Sequence, residues 1–244
     1  MCGRYAATKD PAALVEEFDI EAPPEELLDP DYNVAPTKRV YIVLDRPDEG
    51  EQPERALVVA RWGLIPSWAK DPAIASRLIN ARVETLAEKP AFRSAFAKRR
   101  CIVPADGFYE WYTPEDAPRS RSGKPVKQPF YIHPADGSSL AMAGLYEWWR
   151  DPERDEWRLT CTVITTQASD EVGRIHDRMP MTVSRANWGA WLDPATGRDA
   201  VALIGPAADR SLAAYPVSTA VNSVRNNGPS LIEPLPAAEE DALF

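Results

Sequence analysis

In Met1-Cys2-Gly3-Arg4-Tyr5 a cysteine directly follows the initiator methionine. Once Met1 is trimmed, Cys2 carries an amine and a thiol on adjacent carbons. An exposed α-amine titrates at about 8 and a free thiol at about 8.5, so at neutral pH part of the amine is nucleophilic and part of the thiol is thiolate. Such an amine condenses with an aldehyde to an imine, and the neighbouring thiol then closes a five-membered thiazolidine ring, which proximity favours. The alternative, a cysteine that merely follows the start codon, is open at this point. Gly3 allows the close backbone approach or positive φ that folding a chain terminus into a pocket requires.

Other residues have the chemistry to work beside such a nucleophile. Asn80 and Arg82 are two apart, so on extended backbone they share one face. Glu110 lies within the aromatic run Phe108-Tyr109-Glu110-Trp111. There it is either an acid/base whose proton affinity burial raises, or an outward-facing strand residue, and alternation fits both. His176, in Ile175-His176-Asp177-Arg178, is the better candidate for titration near neutrality, whereas His133, ahead of Pro134, reads as surface. Trp62 and Trp68 flank a turn and are either core or a stacking platform for unpaired bases.

These residues need strands and loops to aim them. The pattern predicts a helix over 11–18 capped by Asp10, an acidic proline-rich connector over 21–31, and a hairpin of strands 39–44 and 56–62 turning at 45–50. Residues 33–37 read as a loop ahead of a strand. A helix is expected over 89–100, where Phe92 and Phe96 are four apart, followed by strands at 101–103, 107–112, 129–132, 140–148 and 158–166. Residues 113–128 read as a hairpin tip. Helices at 169–174 and 184–191, the second with Ser184 as N-cap, precede late strands at 200–204 and 213–217. Together these predict one α+β domain over 1–228, dominated by mostly antiparallel strands with short flanking helices, and an acidic tail over 229–244.

The chain has 244 residues, 44% hydrophobic and 27% charged, ordinary for a soluble globular protein. No apolar run is long enough for a membrane span and no signal peptide is visible, so a cytoplasmic protein without membrane partners is expected. Cys2, Cys101 and Cys161 are too widely spaced for a metal-ligand set or disulfide framework, so no metal or cofactor is expected. The net charge of −9 argues against a nucleic-acid partner, but its distribution is uneven. Lys70, Arg77, Arg82, Lys89, Arg93, Lys98, Arg99 and Arg100 fall in a stretch with few acids, which is either a basic face for phosphates or a solvated helix surface.

Taken in order, Met1–Tyr5, Asn33-Val34-Ala35-Pro36, Trp62-Gly63, Ile79–Glu84, Arg100-Cys101-Ile102, Ala105–Trp111, Ile175–Pro180 and Val224–Gly228 resemble the motifs of the SRAP family, the SOS-response-associated peptidase or abasic-site processing proteins. The resemblance implies a barrel-like β core and a monomer, nucleoid-associated during DNA damage, that recognises abasic sites in single-stranded DNA and links them covalently through Cys2 as a thiazolidine, with lyase and reversal activity. It implies that Asn80 holds the Cys2 terminus and the sugar, that Glu110 shuttles protons and that His176 assists ring opening and reversal. Arg4, Arg82 and Arg225 would contact phosphates, Trp68 would stack or wedge, and Thr165 would line the site. Some relatives have two consecutive tryptophans where this chain has Trp68-Ala69. A peptidase with an N-terminal nucleophile and a non-catalytic reader of single-stranded or modified DNA are the alternatives.

Overall fold

The computed structural model describes residues 2–46, 53–168, 170–206 and 212–236. The predicted turn beyond Arg46, the first residue of the predicted helix 169–174 and positions 237–244 of the predicted tail lie outside the described residues.

Short strand β1 (Tyr5–Ala7) is followed by helix α1 (Pro11–Glu17), which Asp10 caps by accepting the Ala12 N–H at 2.7 Å. Strands β2 (Asp31–Val34), β3 (Arg39–Arg46), β4 (Glu54–Trp62) and β5 (Asn80–Arg82) precede helix α2 (Arg93–Lys98). Strands β6 (Arg100–Ala105), β7 (Gly107–Tyr112), β8 (Gln128–Pro134), β9 (Leu140–Arg150) and β10 (Trp157–Gln167) lead to helix α3 (Asp170–Ile175). Strand β11 (Arg178–Val183), helix α4 (Trp188–Leu192), β12 (Ile204–Pro206) and β13 (Leu212–Pro216) complete the order.

Among the described residues the strands form two sheets. In the larger, β3, β4, β10, β9 and β6 pair in succession, and β6 returns to β3 through Val43↔Ile102, so the ladder closes into a barrel. All of these pairings are antiparallel except the short parallel match of β4 to β10. The smaller sheet has the order β13-β8-β7-β1-β2, with the N-terminal strand β1 between β7 and β2. It packs on the barrel through a shared core in which Cys2, Tyr5, Phe108 and Ile132 meet Trp62, Cys161 and Val163. Its other face carries Tyr109 and Tyr131 under a segment with Val217, Val221 and Leu231. An antiparallel sheet covered on both faces explains why Glu110 could not be oriented from alternation alone.

Several elements differ from the pattern. The predicted helix 89–100 is helical only over Arg93–Lys98, because Arg100 already begins β6. The expected loop at 33–37 is partly strand, with Asn33 and Val34 in β2. The predicted strand 200–204 is mostly 3-10 helix over Pro194–Leu203, and Ser184 makes no side-chain capping bond. The short strands β1, β5 and β12 are too brief to carry a period. No helix of the described residues is long and apolar enough to cross a membrane.

The largest departure within the expected basic stretch is Arg100, which is 1% exposed. Its guanidinium donates to the carbonyl oxygens of Trp191 at 2.6 Å, Phe96 at 2.7 Å, Ala97 and Gly197 at 3.0 Å, and also to that of Asp193. It thereby satisfies the ends of α2 and α4, where helices leave carbonyls without partners. Arg99 is likewise engaged, with Glu147 at 2.8 Å. Replacement of Arg100 by Ala would strand these acceptors and leave a void. It is expected to cost about 3 kcal/mol or more in chemical denaturation, against about 0.5 kcal/mol or less for Lys89→Ala on the surface.

Candidate functional site

Burial of β1 in mid-sheet determines where the chain terminus goes. Tyr5 pairs with Val34 on one side and Phe108 on the other, and the Tyr109 N–H donates to Arg4 O at 2.9 Å. Cys2, just ahead of this strand, is completely buried. The Asn80 side-chain N–H donates to Cys2 O at 2.7 Å, while Asn80 Oδ1 is buried and without a partner among the described residues. Asn80 reaches it because β5 runs parallel to β10 with Val163↔Asn80 and Thr165↔Arg82 opposed, which sends Ala81 into the core and leaves Asn80 and Arg82 on the other face.

Glu110 shares its β7 face with Phe108, whose partner is Tyr5, and it is 2% exposed. Burial pushes its carboxyl up to about 7. Its Oε2 lies 3.7 Å from His176 Nε2, so two proton carriers meet beside the terminus. Burial also holds the His176 imidazolium below the usual histidine range. The Arg178 backbone N–H donates to His176 Nδ1 at 3.0 Å, which places the proton of the neutral ring on Nε2, facing Glu110. Asp177 Oδ1 stands 2.9 Å from the same Nδ1, ready to accept from it when the ring is charged.

The Cys2 thiol departs from the expectation drawn from exposed groups. Burial pushes its proton affinity far up and the nearby Glu110 carboxylate adds to this, against a hydrogen bond from the Arg4 backbone N–H. The thiol is therefore protonated at neutral pH, and a base must take its proton when it reacts.

The outer residues divide into anchored and exposed. Thr165 is buried, with its hydroxyl 3.2 Å and its carbonyl 2.7 Å from Arg178 Nη2. Arg178 also grips Glu84 with both terminal nitrogens, at 2.6 and 3.2 Å. Arg4 Nη1 is committed to Asn33 Oδ1 at 2.6 Å and Val221 O at 2.9 Å, with the guanidinium 5.9 Å from the Trp111 ring centroid. Arg82 and Arg225 are exposed. Trp62 is core, edge-on to Tyr5, whereas Trp68 is 59% exposed on the loop between β4 and β5. That loop is pinned beside it, since the Trp149 indole N–H donates to Ala69 O at 2.7 Å.

The structure thus brings Cys2, Asn80, Glu110 and His176 together and ties Thr165 to Arg82 through one ladder. No contact among the described residues connects Trp68 to Cys2. Sequence reasoning passed over Arg178 and Asn33 as working residues. Both stood within quoted motifs, but their partners lie far along the chain.

The chain matches, over residues 1–224, the family described as SOS response associated peptidase (SRAP). It is 40% identical over 236 residues to the abasic site processing protein YoqW of Bacillus subtilis, covering 96% of this chain and 99% of that protein. It is 35% identical over 273 residues to the abasic site processing protein HMCES of Gallus gallus, covering 96% of this chain and 78% of that one. A solved structure of a protein from Bacteroides thetaiotaomicron superposes with a TM-score of 0.81 at 26% identity, covering 96% of this chain and all (100%) of that one.

A carboxyl whose proton affinity rises on folding stabilises the fold below its unfolded value and loses that contribution as pH rises through its folded value. For Glu110 the window runs from about 4.5 to about 7. Glu110→Gln is therefore expected to match wild-type stability near pH 4.5 and to exceed it by about 2–3 kcal/mol at pH 8. Urea denaturation at the two pH values measures the difference, and equal stability of the two proteins at pH 8 would contradict the burial of an ionising Glu110.

Proposed function

The chain belongs to the SRAP family, and from that premise we propose that it captures abasic sites in single-stranded DNA by bonding the opened sugar to Cys2. The observation that carries this reading is the Cys2 carbonyl held by Asn80 with the Glu110–His176 pair beside it. Loss of Met1 turns the Cys2 nitrogen into a free amine at that place. A bare sugar enters without the unstacking cost of an intact base.

The sugar must first open. The Glu110 carboxyl gives its proton to the ring oxygen and takes that of the anomeric hydroxyl on its other oxygen as the aldehyde forms, while neutral His176 steadies the ring oxygen with a hydrogen bond from Nε2–H. The Cys2 amine adds to the aldehyde carbon to give a carbinolamine, and Glu110, near neutrality in its proton affinity, protonates the departing hydroxyl so that water leaves and the imine forms. Glu110 is now a carboxylate and takes the proton of the Cys2 thiol while sulfur adds to the imine carbon. Because the imine forms protonated on nitrogen, that proton stays on Glu110, which is back in its starting state when the thiazolidine closes. One water is lost overall, and acid and base are the same residue in alternate states.

Asn80 keeps the terminus in place, and its unpartnered Oδ1 is an acceptor for the Cys2 amine or a sugar hydroxyl. Arg82 and Arg225 meet phosphates on either side, Arg4 braces the second of these approaches, Thr165 walls the site and Trp68 offers a stacking face. A few cations suffice, so the acidic whole is no obstacle.

Intact mass after mixing with an oligonucleotide bearing one abasic site is expected to show the chain without Met1 plus the oligonucleotide less one water, stable to heat. Cys2→Ser retains the amine and should give an adduct only when borohydride traps the imine. A heat-stable adduct from Cys2→Ser without reductant would sink the thiazolidine route, and peptide turnover without any DNA adduct would favour a peptidase. Glu110→Gln is expected to slow single-turnover adduct formation by about 10²–10⁴-fold without changing affinity for intact single-stranded DNA.

A further inference from the structure

Asn33 lies on β2, at the edge of the smaller sheet, yet is completely buried. Its side-chain N–H groups face the carbonyl oxygens of Ser223 and Asn226, each at 3.0 Å, and of Val221 at 3.3 Å. Its Oδ1 accepts from Arg4 Nη1, which also donates to Val221 O. One amide thus joins the N-terminal strands to three carbonyls of a single loop about 190 positions away.

The rest of that loop is fastened in the same manner. Asn227 Oδ1 accepts the Tyr32 N–H at 2.8 Å and its Nδ2 donates to Pro30 O at 3.1 Å. The Trp111 indole N–H donates to Asn222 Oδ1 at 2.7 Å, and Asn226 Nδ2 to Ala220 O at 2.8 Å. A polar network fastened at this many points is rigid, although the segment has little regular structure and Arg4 Nε is buried without a partner among the described residues. Arg225, in its middle, is exposed and makes no hydrogen bond or ion pair among the described residues, and Val224 beside it is 51% exposed. A loop pinned by its backbone that leaves a cation and an apolar side chain in solvent has its ordering cost met before any ligand arrives. A guanidinium presented this way suits a phosphate oxygen pair.

We propose that Asn33 is a positioning residue, which holds the loop at 221–228 so that Arg225 meets a backbone phosphate of single-stranded DNA. This rests on the DNA reading above. Asn33 does not touch DNA and takes no part in the chemistry at Cys2. It acts through the three carbonyls it gathers.

The test is fluorescence anisotropy of a base-complete single-stranded oligonucleotide across a salt series, with wild type, Asn33→Ala, Arg225→Ala and the double variant. Each single substitution is expected to weaken binding about tenfold and to make the salt slope shallower by about 0.7, the loss of one phosphate contact. The double variant should bind no more weakly than Arg225→Ala alone. Asn33→Asp, which keeps the acceptor for Arg4 but lacks the N–H donors, should behave as Asn33→Ala. Wild-type affinity and slope in Asn33→Ala, or effects that multiply in the double variant, would overturn the positioning role. Wild type that binds no single-stranded DNA would instead overturn the DNA reading itself, before any substitution is compared. If Asn33→Ala does not fold, Asn227→Ala, which cuts the ties to Tyr32 and Pro30, is compared with Arg225→Ala by the same criterion.

Discussion

The structure depends on threading the first residues of the chain through the middle of a sheet. Chain termini usually fray, and an end that frays cannot aim a nucleophile. Here β1 is paired on both sides, by β2 and β7, and its face carrying Tyr5 is pressed on the barrel core. The last residues before the strand have no freedom to leave. Cys2 is set by the ladder on one side and by Asn80 on the other. Each of the remaining features, the parallel insertion of β5, the placement of Glu110 opposite the terminus and the amide mesh under Arg225, is built onto that strand or its immediate neighbours.

Dryness follows from the same arrangement and sets the chemistry. A thiol in water near its ordinary pKa would need little help. Sealed into the core it holds its proton, and the Glu110 carboxyl beside it rises to about 7. The carboxyl thereby becomes a proton carrier near neutrality, while the thiol, raised further still, gives up its proton only as its sulfur bonds to carbon. The cost is paid by the fold, which keeps a titratable carboxyl in an apolar surrounding and leaves Asn80 Oδ1 without a partner among the described residues.

Much of the site was legible because its signals are local. Cys2 behind Met1, the two-residue spacing of Asn80 and Arg82, and a carboxylate among aromatics can all be read within a few positions. The mostly antiparallel strands follow from turn residues and runs of β-branched and aromatic side chains, whereas closure of the barrel depends on pairings such as Val43↔Ile102 between distant strands. What could not be read depends on distant parts of the chain. Arg100 looked like one cation in a basic run, and only the carbonyls of Trp191, Asp193 and Gly197 make it a buried brace. Trp62 and Trp68 are six apart and equally apolar, but one is sealed against Tyr5 and the other stands in solvent. The state of the Cys2 thiol is beyond local signals for the same reason, since burial is a property of the packed molecule.

In the proposed product one carbon of the opened sugar is bonded to both the nitrogen and the sulfur of Cys2. Carbon NMR of the protein joined to an oligonucleotide whose abasic sugar carries a single 13C at C1′ addresses it directly. A thiazolidine would give one signal, that of a saturated carbon bearing nitrogen and sulfur, which Cys2→Ser cannot produce. An unsaturated imine carbon as the stable species of the wild-type adduct, or a saturated carbon attached to another residue, would contradict it.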